Sequence, residues 1–324
     1  MDRGTFKKFI EGINARTAFS GSFGFDEPMY RHTTFKVGGP ADAWIRPGKE
    51  IFPAYARVLL KAARDEGIPV FILGAGANLA VSDRGIRGIV LDTGSWKGIG
   101  KRENVREGGK TPAFSVKAAA GTSVDQLVDR LAVRGLGGLE FLAGMPGSVG
   151  GAVWMNARCY DKSVSEPLLE TEILDEDFNR LRVPVKSGDF SYKKSPFQTR
   201  QVLILSARFA LDFRPTSDIR KEMEEYRRDR RDKGHYRFPS AGSAFKNNRD
   251  FGNPTGKIID DLGLRGLSSG GAQVAPWHGN IIINTGGASA SDIRALTGEV
   301  ARRVREERGF ILEPEILFVG DWDY

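Results

Sequence analysis

Two glycine-rich segments have the residue types best suited to binding a phosphorylated ligand. Residues 144–152 read Gly-Met-Pro-Gly-Ser-Val-Gly-Gly-Ala, and residues 74–78 read Gly-Ala-Gly-Ala-Asn. Because glycine lacks a side chain and tolerates positive φ, such segments can bring backbone N–H groups against a phosphate. The longer segment lacks the Lys-Ser/Thr pair of a nucleotide P-loop. Together, the two segments predict a site for the diphosphate of a flavin dinucleotide.

The surroundings of the shorter glycine segment exclude a Rossmann site. Strand patterns occupy residues 68–73 on one side of it and residues 86–92 on the other. A Rossmann unit needs a third glycine and a helix directly after its glycine loop, and this interval offers neither. Another fold must therefore present the phosphate-binding backbone.

Hydrophobic periodicity predicts an α+β chain without internal repeats. Helical spacing is found in four segments: 53–66, the residues after a capping box at 123–126, the charged stretch after Pro215, and a final helix that starts at Ser289 or Ser291 and ends at Gly309. Further strand patterns occupy 170–213, whose last strand alternates apolar and more polar residues from 203 to 211, and 280–284. Pro215 marks the best domain boundary.

Composition limits the class of protein. The chain has 324 residues, 40% of them hydrophobic, which suffices for a sizeable core. No apolar run approaches the ~18 residues of a membrane span, and the first residues lack the apolar stretch of a signal peptide. Cys159 is the single cysteine, and only three histidines are present, so neither a disulfide nor a zinc site is expected. These features predict a cytoplasmic protein that holds no metal.

The net charge of +7 raises the question of acidic partners. The most basic stretch, 220–233, contains seven Lys or Arg and also five Asp or Glu, with Glu224 spaced to pair with Arg227 or Arg228 on a helix. This pattern is typical of a salt-bridged, solvated helix, and the stretch has one aromatic residue, Tyr226, for base stacking. A phosphorylated small molecule is therefore expected as the ligand, and nucleic acid is not.

Seven motifs, in order along the chain, resemble those of the UDP-N-acetylenolpyruvoylglucosamine reductase family. They lie at residues 32–41, 73–78, 143–157, 190–195, 239–247, 270–274 and 312–315. The short interval between Asn247 and Gly256 is similar to the family's second type. The resemblance implies an α+β fold, with a two-subdomain FAD-binding half of the vanillyl-alcohol-oxidase type and a C-terminal α+β substrate domain. The implied divisions are 1–92, 93–214 and 215–324, with the last strand returning to the first subdomain.

The same resemblance implies an activity. NADPH would reduce FAD, and the reduced flavin would reduce the enolpyruvyl ether of UDP-N-acetylglucosamine enolpyruvate to UDP-N-acetylmuramate. That product serves peptidoglycan synthesis, and with it cell wall biogenesis, cell shape and cell division. The implied partner is this small-molecule substrate, without nucleic acid or membrane insertion, and a monomer is expected.

The resemblance also assigns three catalytic positions. Ser243 matches the family's proton donor, and Glu315 matches the acid that lies near the substrate carboxylate. Lys193 stands where the family pattern Tyr-Arg-x-Ser has arginine, since this chain reads Tyr192-Lys-Lys-Ser195. Lysine keeps the positive charge but loses the planar two-pronged contact to a carboxylate, so the change is not conservative.

Further positions are carried over for ligand binding. The cofactor positions are Gly74, Ala75, Gly76, Ala77, Asn78, Leu79, Gly144, Pro146, Gly147, Ser148, Gly150, Gly151, Ala152, Asn156 and Tyr160. The substrate positions are Tyr192, Lys233, Lys246, Asn247 and His278. The chain departs from the family at Ala77, where serine is usual, and at Asp161, where glycine is usual.

Two alternatives stay open at this point. One is another FAD-dependent oxidase or dehydrogenase of the same superfamily, which would share the glycine segments. The other is a flavin- or UDP-sugar-binding protein that has lost catalysis, an alternative prompted by the departures at Lys193, Ala77 and Asp161. Reduction of the flavin by NADPH rather than by an alcohol would distinguish the reductase from the oxidase.

Overall fold

The structure is a computed structural model and describes residues 2–105 and 114–322. Within these ranges the α-helices are α1 (Arg3–Arg16), α2 (Phe52–Asp65), α3 (Val124–Val133), α4 (Val149–Trp154), α5 (Thr216–Asp232), α6 (Thr255–Asp261) and α7 (Ala290–Arg308). The strands are β1 (Gly21–Pro28), β2 (Pro40–Pro47), β3 (Val70–Leu73), β4 (Leu79–Val81), β5 (Ile86–Asp92), β6 (Ile99–Asn104), β7 (Phe114–Ala119), β8 (Leu136–Gly137), β9 (Arg158–Cys159), β10 (Lys162–Ser163), β11 (Leu168–Leu174), β12 (Arg180–Pro184), β13 (Leu203–Phe213), β14 (Ser240–Ser243), β15 (Ser268–Ser269), β16 (Ala272–Val274), β17 (Ile281–Asn284) and β18 (Leu317–Val319). None of the helices in the described part of the chain has the length and apolar character needed to cross a membrane.

The helices predicted from periodicity are confirmed. In α2 a proline lies in the first turn, where its missing N–H costs no hydrogen bond, and Tyr55, Leu59 and Ala63 form a buried stripe. Ser123 caps α3 as predicted, because its side chain accepts from the Gln126 amide. For α7 the structure selects Ser289 as the cap over Ser291, since Ser289 and Asp292 form a reciprocal capping box.

The β prediction for 170–213 is confirmed only at its two ends. β11, β12 and β13 lie there, but the stretch between Pro184 and Val202 contains no strand. Gly188 and Lys193 adopt positive φ of 89° and 56° in this stretch, which is turn conformation rather than extended backbone. Tyr192 and Lys193 therefore lie in a turn.

The chain divides into two compact units, each built from separated segments. Unit 1 comprises the chain up to Phe25, Trp44–Ala75 and Ile89–Arg228, and unit 2 comprises Asp26–Ala43, Gly76–Gly88 and the chain from Asp229 onwards. The C-terminal substrate domain expected at 215–324 and the two other divisions stay predictions, and the two units are described separately below.

Unit 1 contains the larger sheet. Its strand order is β12-β11-β13-β7-β6, with β8 added along β13. In β13 the predicted alternation is confirmed only from Ala207 onwards, where Arg208 and Ala210 are partly exposed between buried neighbours, because residues 203–207 are buried on both faces of the strand. The buried faces of α3 and α4 pack with this sheet in one apolar core.

Unit 2 contains a smaller antiparallel sheet of order β14-β17-β16-β15 and a parallel pair of β4 with β18. The apolar stripe of α7, formed by Ile293, Leu296 and Val300, packs in the core of this unit with the strand residues Val274 and Ile282. The start of α7 is fixed by Asp83, whose carboxylate accepts from the amides of Ala290 and Ser291 at 2.8 Å each.

Candidate active site

The glycine segment at 144–152 belongs to unit 1, and most of its amides already have partners there. The amides of Gly144, Val149 and Gly150 donate to the Asp125 carboxylate and to the carbonyls of Thr122 and Ala120, at 2.7, 2.9 and 2.8 Å. The Gly151 amide donates to the Ser148 hydroxyl at 3.3 Å, and the Ala152 amide to the Ser148 carbonyl at 2.8 Å. Pro146 has no N–H. The segment is therefore a loop up to Ser148 that continues into α4, with few donors left over.

Two successive amides of this loop stay available to a ligand. Those of Gly147 and Ser148 make no hydrogen bond to residues 2–105 or 114–322. Gly147 has φ +139°, and a Cβ built there would meet nothing within 4 Å, so open space adjoins its backbone. At Gly74 a Cβ would lie 2.6 Å from the Ser148 hydroxyl oxygen, so only glycine allows this close approach. This donor pair on a side-chain-free surface fits a diphosphate.

From Gly76 onwards the shorter glycine segment belongs to unit 2. Gly76 has φ +64°, and a Cβ there would lie 2.0 Å from the His32 carbonyl oxygen. The Gly76 carbonyl accepts from the Thr34 amide at 3.1 Å, whereas the amides of Gly76 and Ala77 make no hydrogen bond to the described residues. Ala75 is exposed and Leu79 is buried in β4. Hence the backbone, rather than side chains, is what this segment offers to a phosphate.

Asn156 and Tyr160, the third predicted cofactor segment, use their side chains within unit 1. Asn156 is buried, and its side-chain amide donates to the Ser191 carbonyl at 2.7 Å. The Tyr160 hydroxyl donates to the Tyr226 carbonyl at 3.3 Å. Asp161 has φ +61°, so the position where the family has glycine does adopt the left-handed conformation. Asn156 is thus a residue that positions the Tyr192–Lys193 turn.

Ser243 lies at the end of β14, where the pairing with β17 is irregular. Ser240 opposes Ile283 and Ser243 opposes Ile281, so one extra residue is accommodated between them. Gly242 sits in that bulge with φ +75° and nothing within 4 Å of a built Cβ. A β-bulge redirects the side chain next to it. The half-buried Ser243 side chain therefore follows a glycine that leaves space beside it.

Glu315 is held to the residues that follow Ser243. Its amide donates to the Ala244 carbonyl at 2.8 Å, and Phe245 and Pro314 form an antiparallel bridge. The structure therefore brings the segments of Ser243 and Glu315 together in unit 2, whereas Lys193 belongs to unit 1.

One positioning residue was missed by the sequence analysis. Asn280 is buried, and its side chain both accepts from the Phe245 amide at 2.9 Å and donates to the Phe245 carbonyl at 2.8 Å. Its own carbonyl accepts from the Ala244 amide at 2.8 Å. These three bonds fix the backbone after Ser243. An asparagine at the start of a predicted strand gave no local signal of that role.

The turn that carries Tyr192 and Lys193 is closed by two bonds between Ser191 and Lys194, at 3.0 and 3.2 Å. The Gln198 side chain donates to the Lys193 carbonyl at 3.1 Å, and this bond holds the turn against the residues that follow it. Tyr192 is exposed, and Lys193 is half-buried with its ammonium nitrogen 3.5 Å from the Arg158 carbonyl oxygen. The turn thus presents an aromatic ring and a cation.

The predicted substrate positions of unit 2 all have partners of their own. Lys246 forms an ion pair with Glu313, Lys233 pairs with Asp229 at 2.8 Å, and the Asn247 side chain accepts from the Thr255 amide at 2.9 Å. Glu313 is therefore held in an ion pair on this surface. A substrate phosphate at Lys246 would compete with that carboxylate.

His278 stays neutral near pH 7. Burial is the main cause that lowers its pKa, and its Nδ1 accepts from the Asn280 amide at 3.1 Å, as an unprotonated nitrogen must. His235, whose ring lies 6.3 Å from that of His278, has its pKa lowered to about 4 by burial and by the nearby Arg230. Among the described residues, no three or more His, Cys, Asp or Glu side chains are placed to hold a metal ion.

Comparisons with known proteins agree with this architecture. Residues 55–178 match the family model described as FAD binding domain, and residues 234–319 match that of the UDP-N-acetylenolpyruvoylglucosamine reductase C-terminal domain. The first match assigns an FAD-binding region to the part of the chain that contains both the 74–78 and 144–152 segments. The α+β fold class with an FAD-binding half and a C-terminal domain is confirmed.

Relatives cover nearly the whole chain. The UDP-N-acetylenolpyruvoylglucosamine reductase of Treponema denticola is 43% identical over 314 residues, covering 93% of this chain and 95% of the relative. That of Caldanaerobacter subterraneus is 39% identical over 303 residues, with coverage of 93% and 95%. The crystal structure of the Thermus caldophilus enzyme aligns with a TM-score of 0.72 at 31% identity, covering 93% of this chain and 99% of that chain. The chain belongs to the UDP-N-acetylenolpyruvoylglucosamine reductase family.

Proposed function

We propose that the chain reduces the enolpyruvyl ether of UDP-N-acetylglucosamine enolpyruvate to UDP-N-acetylmuramate, with FAD as cofactor and NADPH as hydride donor. The observation that carries this proposal is the backbone connection between the Ser243 and Glu315 segments, through the 2.8 Å bond from Glu315 to Ala244. It supports the proposal because it joins, within one unit, the segments that carry a hydroxyl and a carboxyl, the two groups that the reaction requires.

FAD would be held through backbone donors rather than charged side chains. The amides of Gly147 and Ser148 and those of Gly76 and Ala77 are the donors we assign to its diphosphate, because the described part of the chain does not use them. When bound, the flavin would take up hydride from NADPH and supply it to the terminal carbon of the substrate double bond.

The chain's own groups would complete the reduction. Addition of hydride to the terminal carbon pushes negative charge onto the substrate carboxylate, which becomes an enolate. Ser243 would protonate the carbon next to that carboxylate, and Glu315 would hydrogen-bond the carboxylate oxygens. Lys193, as a positive charge in the turn at 191–194, would stabilise the enolate, and Tyr192 would contact the substrate.

The UDP end of the substrate would meet cations and amide groups of unit 2. Lys246 would exchange its Glu313 partner for an oxygen of the substrate diphosphate. A lysine forms strong charge-assisted hydrogen bonds with phosphate oxygens. Asn247, Lys233 and the neutral imidazole of His278 are the other groups we assign to this end. The product would enter peptidoglycan synthesis in the cytoplasm, and so serve cell shape and division, with the protein acting as a monomer.

The test is an anaerobic flavin titration of the purified protein. NADPH should bleach the flavin absorbance band at roughly 450 nm. The enolpyruvyl substrate should then restore this absorbance, with formation of UDP-N-acetylmuramate. Bleaching without recovery would favour a different acceptor, as in an oxidase or dehydrogenase of the superfamily. A flavin that NADPH leaves oxidised would favour a binding protein without catalysis.

A further inference from the structure

A second cation, the guanidinium of Arg158, lies beside the turn that carries Tyr192 and Lys193. The Cζ atom of Arg158 is 5.9 Å from the centre of the Tyr192 ring. The ammonium nitrogen of Lys193 is 3.5 Å from the Arg158 carbonyl oxygen, so the Lys193 side chain reaches the backbone of Arg158 within unit 1. Arg158, which the sequence analysis assigned no role, therefore belongs to the surface that we assign to the substrate.

The Arg158 side chain is held in place by polar neighbours that leave it usable. It is 25% exposed, and one of its terminal nitrogens lies 3.2 Å from the Asp161 carboxylate. The Asp161 side chain is 93% exposed, and an ion pair with so exposed a partner is weak because water screens it. Asp161 can orient the guanidinium without committing it against a stronger anion.

The chemistry of the proposed substrate asks for such a group. A carboxylate that becomes an enolate is planar, with two oxygens that a guanidinium can contact at once, whereas an ammonium acts as a point charge. Lys193 is the cation at the family's position, and it lacks that geometry. Arg158 has that geometry.

We propose that Arg158 binds the substrate carboxylate and stabilises the enolate, supplying from the β9 strand the guanidinium that position 193 lacks in this chain. This inference rests on the proposed function. In this chain Arg158 would make the two-pronged contact that the family's arginine makes, and Lys193 would add only a positive charge. Loss of the guanidinium at position 158 should therefore be offset by an arginine at position 193.

The first experiment follows Arg158→Gln through the two half-reactions separately. Reduction of the flavin by NADPH should stay within about twofold of wild type, whereas reoxidation by the enolpyruvyl substrate should slow by about 10–100-fold. Arg158→Lys, which keeps the charge and most of the stem, should lie between the two. Arg200→Gln, which removes a different exposed arginine of unit 1 that pairs with Glu176, is the matched control and should reoxidise as wild type does.

A binding measurement adds a readout that does not depend on turnover. The enolpyruvyl substrate and UDP-N-acetylglucosamine differ by the carboxylate-bearing group, and each can be titrated against the oxidised protein by its effect on the flavin spectrum. Arg158→Gln should weaken binding of the first by about tenfold and leave binding of the second unchanged. Equal effects on the two ligands would overturn a carboxylate contact at Arg158.

The pairing with position 193 gives the decisive comparison. Lys193→Arg should raise the reoxidation rate at least about fivefold more in the Arg158→Gln background than in wild type, because the two guanidinium positions serve one carboxylate. The same gain in both backgrounds, or normal reoxidation in Arg158→Gln, would overturn the proposal. If wild type itself is not reoxidised by the enolpyruvyl substrate, the proposed function fails first, and the inference fails with it.

Discussion

The side-chain amide of Asn78 donates to the backbone carbonyl of Glu315 at 2.9 Å, across 237 residues of sequence. The Asn78 carbonyl in turn accepts from the Leu317 amide at 3.0 Å. A residue at the end of the shorter glycine segment thus fixes the carbonyl of the proposed acid and the backbone that follows it. Because Asn78 is bonded to the Glu315 backbone within unit 2, a substitution at Asn78 should also alter the position of Glu315.

Ser243→Ala should separate the two half-reactions. Without the hydroxyl, NADPH should still reduce the flavin at close to the wild-type rate, whereas reoxidation by the enolpyruvyl substrate should fall by about 10²–10⁴-fold, the usual contribution of a positioned proton donor. Stopped-flow absorbance measures both steps. Ser240→Ala, in the same strand, is the control and should behave as wild type. Unimpaired reoxidation in Ser243→Ala would remove Ser243 from the mechanism.

Glu315→Gln should impair reoxidation, and Glu313→Gln should not. The two glutamates flank Pro314, but Glu313 is mostly exposed and paired with Lys246. We expect a rate loss of about 10–1000-fold for Glu315→Gln, measured as above, and less than about threefold for Glu313→Gln. A similar loss in both variants would indicate a general effect of the 313–315 segment on the fold.

Gly76→Ala should reduce FAD retention, and Gly67→Ala provides a control with the same backbone conformation. Both glycines have φ +64°, so alanine is strained at either, at a cost of about 1 kcal/mol. At Gly76 the added Cβ would also lie 2.0 Å from the His32 carbonyl oxygen, whereas at Gly67 it meets nothing within 4 Å. The flavin-to-protein absorbance ratio after gel filtration should fall for Gly76→Ala alone. Equal retention by both variants would contradict a cofactor role for the 74–78 backbone.

His235→Asn should flatten the acid limb of the stability curve. Burial, with Arg230 nearby, lowers the pKa of His235 to about 4, so between pH 6.5 and 4 the unfolded chain binds a proton that the folded chain does not. The free energy of unfolding, and with it the stability, therefore decreases as the pH falls through this window, and this residue accounts for roughly 2 kcal/mol of the decrease. Urea unfolding at pH 7, 5.5 and 4.5 should show a smaller decrease in the variant. Parallel curves would mean that His235 titrates normally.

Local signals explain what could be predicted. The caps at Ser123 and Ser289, the stripe of α2 and the alternation in the second half of β13 each depend on residues a few positions apart, and the structure has them. The stretch between Pro184 and Val202 was wrongly expected to be β. Its turn has a positive φ at Lys193, and a lysine in the sequence does not indicate that conformation. The bonds of Asn78 and Asn280 join residues far apart in sequence, so neither could be inferred from spacing.

The parallel pairing of β4 with β18 bears on how unit 2 is made during translation. β4 lies at Leu79–Val81 and its partner at Leu317–Val319, so the ribosome must add more than two hundred residues (roughly ten seconds or more of synthesis) before the pair can form. Unit 1 has most of its sheet partners much earlier, since β13 ends at Phe213. The segment that carries Glu315 thus enters the fold last. Nascent chains should accordingly acquire protease resistance in unit 1 while 76–88 is still cleavable, so the reductase site would be the final feature of the molecule to mature.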